Sequence, residues 1–176
     1  MSKLLLHTCC APCTTFVYKR LIENKLEAEG LFYNPNIRPE NEYQKRLVTM
    51  QLYSATVGLK VIYAPSDIEI EPEKCEDCYR IRLEKTAGLA RVNGFKYFST
   101  TLLISPYQKH GLLKRVGEEA AEKYGVIFYY RDFREGYHES RRLAQTLGLY
   151  RQKYCGCKPA MEKLKGEKHA KISQFA

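Results

Sequence analysis

The sequence predicts an α/β domain, a parallel sheet of about five strands with helices on both faces. Two observations carry that prediction. Short apolar runs of strand length alternate along the chain with longer stretches at helical spacing. Residues with unusual chemistry recur just after the predicted strands, and in open parallel sheets ligands sit beyond the carboxyl ends of the strands. A chain of 176 residues suits one ordinary domain with a small appendage at most, and such a domain buries roughly 70% of its unfolded surface without needing covalent staples.

Residues 3–8 are a short apolar run that stops at Cys9, and read as a buried strand. Residues 12–24 suit a helix with Pro12 near its first turn, where a missing N–H is harmless. Residues 26–33 form a second strand, ended by Asn34-Pro35-Asn36. Over 40–55, Tyr43, Leu47 and Met50 recur at helical spacing. Residues 60–63 are a third strand, and 75–92 a helix closed by Asn93-Gly94. Residues 96–99 are the fourth strand, 106–124 a helix ending at Gly125, 126–130 the fifth strand and 137–147 the next helix. The stretch 158–176 is basic and weakly patterned, and no repeat interrupts the order.

Parallel strands put their carboxyl ends on one rim. That rim collects Cys9, Cys10 and Cys13 after the first strand and Tyr33-Asn34-Pro35-Asn36 after the second. Asp67, Cys75 and Cys78 follow the third, Thr100, Thr101 and Ser105-Pro106-Tyr107 the fourth, and Arg131-Asp132-Phe133-Arg134 the fifth.

All seven cysteines fall in three short motifs, Cys9-Cys10-Ala11-Pro12-Cys13, Cys75-Glu76-Asp77-Cys78 and Cys155-Gly156-Cys157. The N-terminal apolar run is too short for a signal peptide, and no segment approaches the roughly 18 apolar residues of a membrane span. A cytoplasmic location with reduced thiols is expected. Thiolates at this density bind soft metals or exchange electrons. Cys75 and Cys78 share one face at the start of a helix, which lowers thiol pKa. Alone the pair is a zinc half-site, a cluster half-site or a redox pair. Zinc usually takes Cys-x-x-Cys on both sides, whereas a four-iron cluster accommodates adjacent cysteines more easily. Cys9, Cys10, Cys75 and Cys78 supply the four thiolates of a [4Fe-4S] cluster, with zinc as the alternative. Cys155 and Cys157 read either as a redox relay, since a disulfide across one residue is strained and labile, or, with Cys13, as ligands of a second metal. Cys13 is otherwise a small buried hydrophobe. His7 reads as a core histidine, His110 and His138 as phosphate contacts, and His169 as tail.

The formal charge is +9, from 29 Lys and Arg against 20 Asp and Glu. An excess of that size favours a polyanion partner; the plainer alternative is a soluble basic protein. Fourteen tyrosines and no tryptophan suit base stacking or a tyrosine-rich core.

Taken together, Leu5-Leu6-His7-Thr8-Cys9-Cys10-Ala11-Pro12-Cys13, Tyr33-Asn34-Pro35-Asn36-Ile37, Glu42-Tyr43, Cys75-x-x-Cys78 with Tyr79-Arg80-x-Arg82-Leu83, the run from Phe98 to Tyr107, and Tyr150-Arg151-Gln152-Lys153-Tyr154-Cys155-Gly156-Cys157 resemble the QueH family of epoxyqueuosine reductases. The resemblance runs from about residue 4 to 158 and implies a Rossmann-like (HUP-type) catalytic domain, assigned to 1–158; the basic stretch 159–176 carries none of it and is expected as a C-terminal helix or tail. The resemblance also implies reductive deoxygenation of the epoxide of epoxyqueuosine at the tRNA wobble position, a [4Fe-4S] cluster on Cys9, Cys10, Cys75 and Cys78, and a redox-active Cys155/Cys157 pair. The cysteine motif replaces the phosphate loop of related nucleotide-binding folds. An additional iron ion beside the cluster and an external electron donor are further expectations. Asp77 and Tyr107 are the expected proton donors, with Asp77 otherwise a helix cap; Asp132 and Tyr130 lie near the same ends. The tRNA surface is expected at Lys109, Lys114, Arg115, Arg131, Arg134, Arg141, Arg142, Arg151 and Lys153, joined by His110 and Lys158, with a splayed base stacked on Tyr33 or Tyr107. The competing readings are a zinc RNA-binding domain without catalysis, a thiol-disulfide or metal-storage protein, and a cluster-bearing tRNA sulfur-transfer enzyme. The last would carry a Ser-Gly-Gly-type loop where this chain has Cys9-Cys10.

Overall fold

A computed structural model describes the backbone of residues 2–65 and 71–173, with side chains through residue 166. Strands and helices alternate as β1 (Ser2–His7), α1 (Ala11–Glu23), β2 (Leu26–Phe32), α2 (Glu40–Val57), β3 (Val61–Tyr63), α3 (Cys75–Val92), β4 (Tyr97–Thr100), α4 (His110–Tyr124), β5 (Ile127–Phe128), α5 (Tyr137–Thr146) and α6 (Lys158–Ser173). The five strands form one sheet in the order β3-β2-β1-β4-β5, with every pairing parallel.

That order explains the sequence of β1. It is the central strand, covered on both faces, and Leu4, Leu5 and Leu6 are fully buried; a two-sided strand needs a continuous apolar run rather than alternation. The chain leaves β1 toward β2 and β3, then crosses back through α3 to β4 on the other side. Because parallel crossovers are right-handed, this reversal puts α1 and α2 on one face and α3 and α4 on the other. Accordingly α1 packs against α2 and α5, and α3 against α4. At Gly117 on α4 an added Cβ would lie 2.3 Å from the Phe128 ring, so the missing side chain lets the helix press directly onto β5. The crevice between the ends of β1 and β4 is where the strand order reverses, the place such sheets bind ligands.

Two expected elements differ. The helix expected over 106–124 begins at His110, because local hydrogen bonds capture the segment before it. Thr100 Oγ1 accepts from Leu102 N at 3.1 Å and opens a 3-10 turn over Thr101–Ile104. Ser105 Oγ likewise accepts from Tyr107 N at 3.3 Å. The fifth strand is only Ile127–Phe128, an edge strand that Tyr129 leaves while its carbonyl accepts from Ser99 Oγ at 2.8 Å. The basic end, expected as a helix or tail, is a helix, α6. Asp67 and the side chain of His169 lie outside the described residues. No helix among the described residues is long and apolar enough to cross a membrane.

Candidate metal and redox centre

The first motif sits in the crevice between β1 and β4. Cys10 is the N-cap residue of α1, in extended conformation, and Thr14 Oγ1 donates to its carbonyl at 2.8 Å. This tight entry turns all three thiols the same way. The sulfurs of Cys9, Cys10 and Cys13 lie within 4.8 Å of one another, a group that can hold a metal ion. Cys9 and Cys10 are buried and Cys13 half-buried. Thr101, on the turn after β4, accepts from Cys9 N at 3.0 Å and donates to Cys9 Sγ at 3.3 Å. Without a metal the trio shares its protons unevenly. Donation from Cys10, and then Cys13, holds Cys9 well below the usual thiol range. Burial pushes Cys10 up to about 12, and its hydrogen bond to Cys10 pushes Cys13 up.

The other two motifs meet across a cavity of about 90 Å³ lined by Asn36, Cys75, Cys78, Tyr79, Arg82, Cys155 and Cys157 among others. Cys75 and Cys78 occupy the first turn of α3. A larger cavity of about 210 Å³ adjoins it, sharing Asn36 and Cys157 and reaching Arg38 and Lys158. Cys155 Sγ and Cys157 Sγ are 3.2 Å apart, and no disulfide joins any of the seven cysteines. Donation from Cys157 draws the Cys155 thiol down to about 6, helped by the nearby Arg82 and Arg46; the same bond drives Cys157 up.

The Cys-Gly-Cys segment is fastened from beneath. Arg46 on α2 is 2% exposed. It pairs with Glu42 at 2.7 Å and donates to the carbonyls of Cys155 at 3.0 Å and Tyr154 at 2.9 Å. Tyr150 donates to Glu42 at 2.5 Å, the Tyr154 hydroxyl donates to the Arg38 carbonyl, and Arg38 N donates to the Gly156 carbonyl at 2.7 Å. Gly156 has φ +109, and an added Cβ would meet Ile37 at 3.0 Å and Arg46 at 3.1 Å, so both conformation and space require glycine there. Gln152 Nε2 donates to Cys10 Sγ at 2.8 Å, linking this segment to the first motif.

His7 is the satisfied core histidine expected. It is fully buried, with Nδ1 2.9 Å from Thr100 Oγ1 and Nε2 3.2 Å from the Tyr33 carbonyl. Burial, and then the Arg82 charge, lower it to about 4. A histidine held neutral in the fold lets the unfolded chain take up a proton first as pH falls. Its contribution is intact above about pH 6.5 and is lost between there and pH 4, by roughly 3 kcal/mol. The stability of metal-free wild type is therefore expected to fall by that much more than that of His7→Asn between pH 7 and 4. Parallel curves in chemical denaturation would contradict this.

Other expected site residues are dispersed. Asp77 is exposed on the first turn of α3, and the cap position is Lys74 without a side-chain cap bond. Tyr107 is 79% exposed, its ring edge-on to Tyr137 at 6.0 Å. Neither lines the cavities. Tyr33 is buried with Lys85 Nζ 5.4 Å from its ring centroid, so it offers no open face to a base. Arg115 pairs with Glu76 and Glu119, Lys114 with Glu118, Arg131 with Glu135 and Arg134 with Asp132. Lys109, Arg141, Arg142, Arg151 and Lys153 are exposed. His110 is half-buried with Nε2 3.3 Å from the Ser105 carbonyl, and His138 is exposed. Glu42, Asn36, Arg46, Arg82 and Gln152 were not singled out as site residues, although their positions beside the motifs were visible.

Residues 4–163 match the family model described as epoxyqueuosine reductase QueH. The chain is 42% identical over 164 residues to the epoxyqueuosine reductase QueH of Dehalococcoides mccartyi, covering 88% of this chain and 90% of that one. To the epoxyqueuosine reductase QueH of Thermotoga maritima it is 38% identical over 194 residues, covering 99% and 97%. To that of Streptococcus pyogenes it is 34% identical over 175 residues, covering 88% and 68%. With a family match over residues 4–163 and relatives up to 42% identical across most of their length, this chain belongs to the QueH family of epoxyqueuosine reductases.

Proposed function

We propose that this protein is an epoxyqueuosine reductase acting on tRNA, removing the epoxide oxygen at the wobble nucleoside as water and leaving the cyclopentene. The reaction balances as epoxide plus two electrons and two protons giving alkene plus water. Side-chain acids and bases cannot supply electrons, so the reaction needs a redox group. The observation that carries the reading is the rim of the sheet, where thiols from three separate parts of the chain stand around buried or half-buried space.

The donors are all sulfur, and three of them accept hydrogen bonds from neutral side chains. That chemistry fits an iron–sulfur cluster rather than a hard cation. Cys9, Cys10, Cys75 and Cys78 are the residues proposed to hold a [4Fe-4S] cluster, which when bound supplies electrons one at a time from an external donor. Cys155 and Cys157 form the second electron store; an additional iron on Cys13, Cys155 and Cys157 is the alternative use of the same thiols. Cys157 lines both cavities, which Asp77 and Tyr107 do not, so it is the better placed of the three to pass a proton there.

The exposed Lys109, Arg141, Arg142, Arg151 and Lys153 are proposed to bind tRNA phosphates, since among the described residues they form none of the ion pairs that occupy Arg115 and Arg134. Changing Arg141 and Arg142 to Glu is expected to weaken tRNA binding and to reduce the slope of log affinity against log salt by between about 1 and 2. Unchanged binding in a salt titration would reject that patch.

The deciding experiment is iron, sulfide and zinc analysis of protein purified without oxygen, followed by a deoxygenation assay on epoxyqueuosine tRNA. About four irons and four sulfides per chain, as a four-thiolate cluster requires, with cyclopentene product, is the expected result. Stoichiometric zinc without sulfide would overturn it.

A further inference from the structure

Arg82 is buried, 3% exposed, yet among the described residues it makes no ion pair with a carboxylate. Its Nε and Nη2 instead donate to one oxygen, Asn36 Oδ1, at 3.2 and 2.7 Å. Asn36 is equally buried, and its Nδ2 donates to Cys78 Sγ at 3.3 Å. Cys78 and Arg82 are four residues apart on α3, so they share a face, and Asn36 reaches both from the loop after β2. The orientation of the amide is settled by its partners: two guanidinium N–H groups require the oxygen, which leaves the NH₂ for sulfur. A cation on the carbonyl also strengthens the N–H as a donor, because aligned hydrogen bonds polarise one another in a low dielectric. A buried cation lacking a carboxylate needs nearby negative charge, and thiolates ligating a metal centre supply it.

We infer that Asn36, held by Arg82, is a positioning residue that raises the reduction potential of the metal centre by donating a hydrogen bond to Cys78 sulfur. This rests on the proposed role of Cys78 as a cluster ligand. A donor to a ligating sulfur stabilises the more negative, reduced state, so its removal lowers the potential. Asn36→Asp replaces the donor with an acceptor while keeping a partner for Arg82. Asn36→Ala removes the donor without adding charge. Gln152 and Thr101 act on Cys10 and Cys9, so neither replaces the lost bond.

The test is a spectroelectrochemical titration of the anaerobically purified proteins, with electron paramagnetic resonance of the reduced state and iron and sulfide counts. The midpoint is a property of each loaded centre, so partial loading does not blunt it. The expected result is a fall in both variants, larger in Asn36→Asp, where the reduction equilibrium shifts at least tenfold, about 59 mV for one electron. Midpoints equal to wild type, or higher, in either loaded variant would overturn the inference and leave the reductase reading standing. Wild-type protein without iron and sulfide would overturn both.

Discussion

Arg46→Met is expected to destabilise the protein by about 3–5 kcal/mol and to release the segment carrying Cys155 and Cys157. Arg46 and Glu42 are a buried pair, 2% and 8% exposed at their side chains, and removing one member strands the other charge in a low dielectric. The loss exceeds that of a surface pair, which is worth at most about 1 kcal/mol, because Arg46 also satisfies the carbonyls of Tyr154 and Cys155. At a urea m-value near 2 kcal/mol/M the midpoint falls by roughly 2 M. Limited proteolysis is expected to cut within 150–157 in the variant before it cuts wild type, since the segment loses its fastening. The double variant Glu42→Leu/Arg46→Met separates the two effects. Removing both charges recovers most of the stability, while the carbonyls stay unfastened and the early cleavage persists. Wild-type cleavage in the double variant would show that Arg46 does not hold the segment.

This pair also shows where reading the chain stops. Glu42 and Arg46 are four apart on one helix, and in sequence that spacing describes a solvent-exposed ion pair equally well. Only the docking of residues 150–157 buries it. Arg82 poses the same ambiguity, one turn beyond Cys78 on α3. The cysteines were legible because their chemistry is rare, and the parallel sheet was legible because short apolar runs alternate with helical stretches. Local polar bonds were not: Thr100 and Ser105 set the turns that delay α4, and no periodicity records them. Tyr33 failed as a stacking platform for a related reason. It lies at the end of β2 among residues with open-looking turn chemistry, but the fold closes over its ring.

Cys155→Ser is expected to abolish epoxide reduction, a loss of roughly a thousandfold or more, as when a group supplying reacting electrons is removed. Closing the Cys155 thiolate and the Cys157 thiol to a disulfide releases two electrons, the number that converts the epoxide to alkene and water, and one proton, with the second proton taken from solvent. The thiols begin 3.2 Å apart, and Cys155, drawn down to about 6 by the Cys157 hydrogen bond, is the thiolate of the two. Bond formation therefore needs an approach of about 1 Å to the usual S–S length. Serine keeps the size and the hydrogen bond but carries no such redox chemistry. Iron analysis tells the relay from the alternative assignment. A relay predicts unchanged iron and sulfide with turnover lost, whereas a second metal on Cys13, Cys155 and Cys157 predicts iron above the sulfide count in wild type and its loss in Cys155→Ser. Cys157→Ser is expected to match in turnover, because a lone thiol cannot close the bond. Full turnover in either variant would remove the pair from the reaction and leave the external donor to deliver both electrons through the cluster.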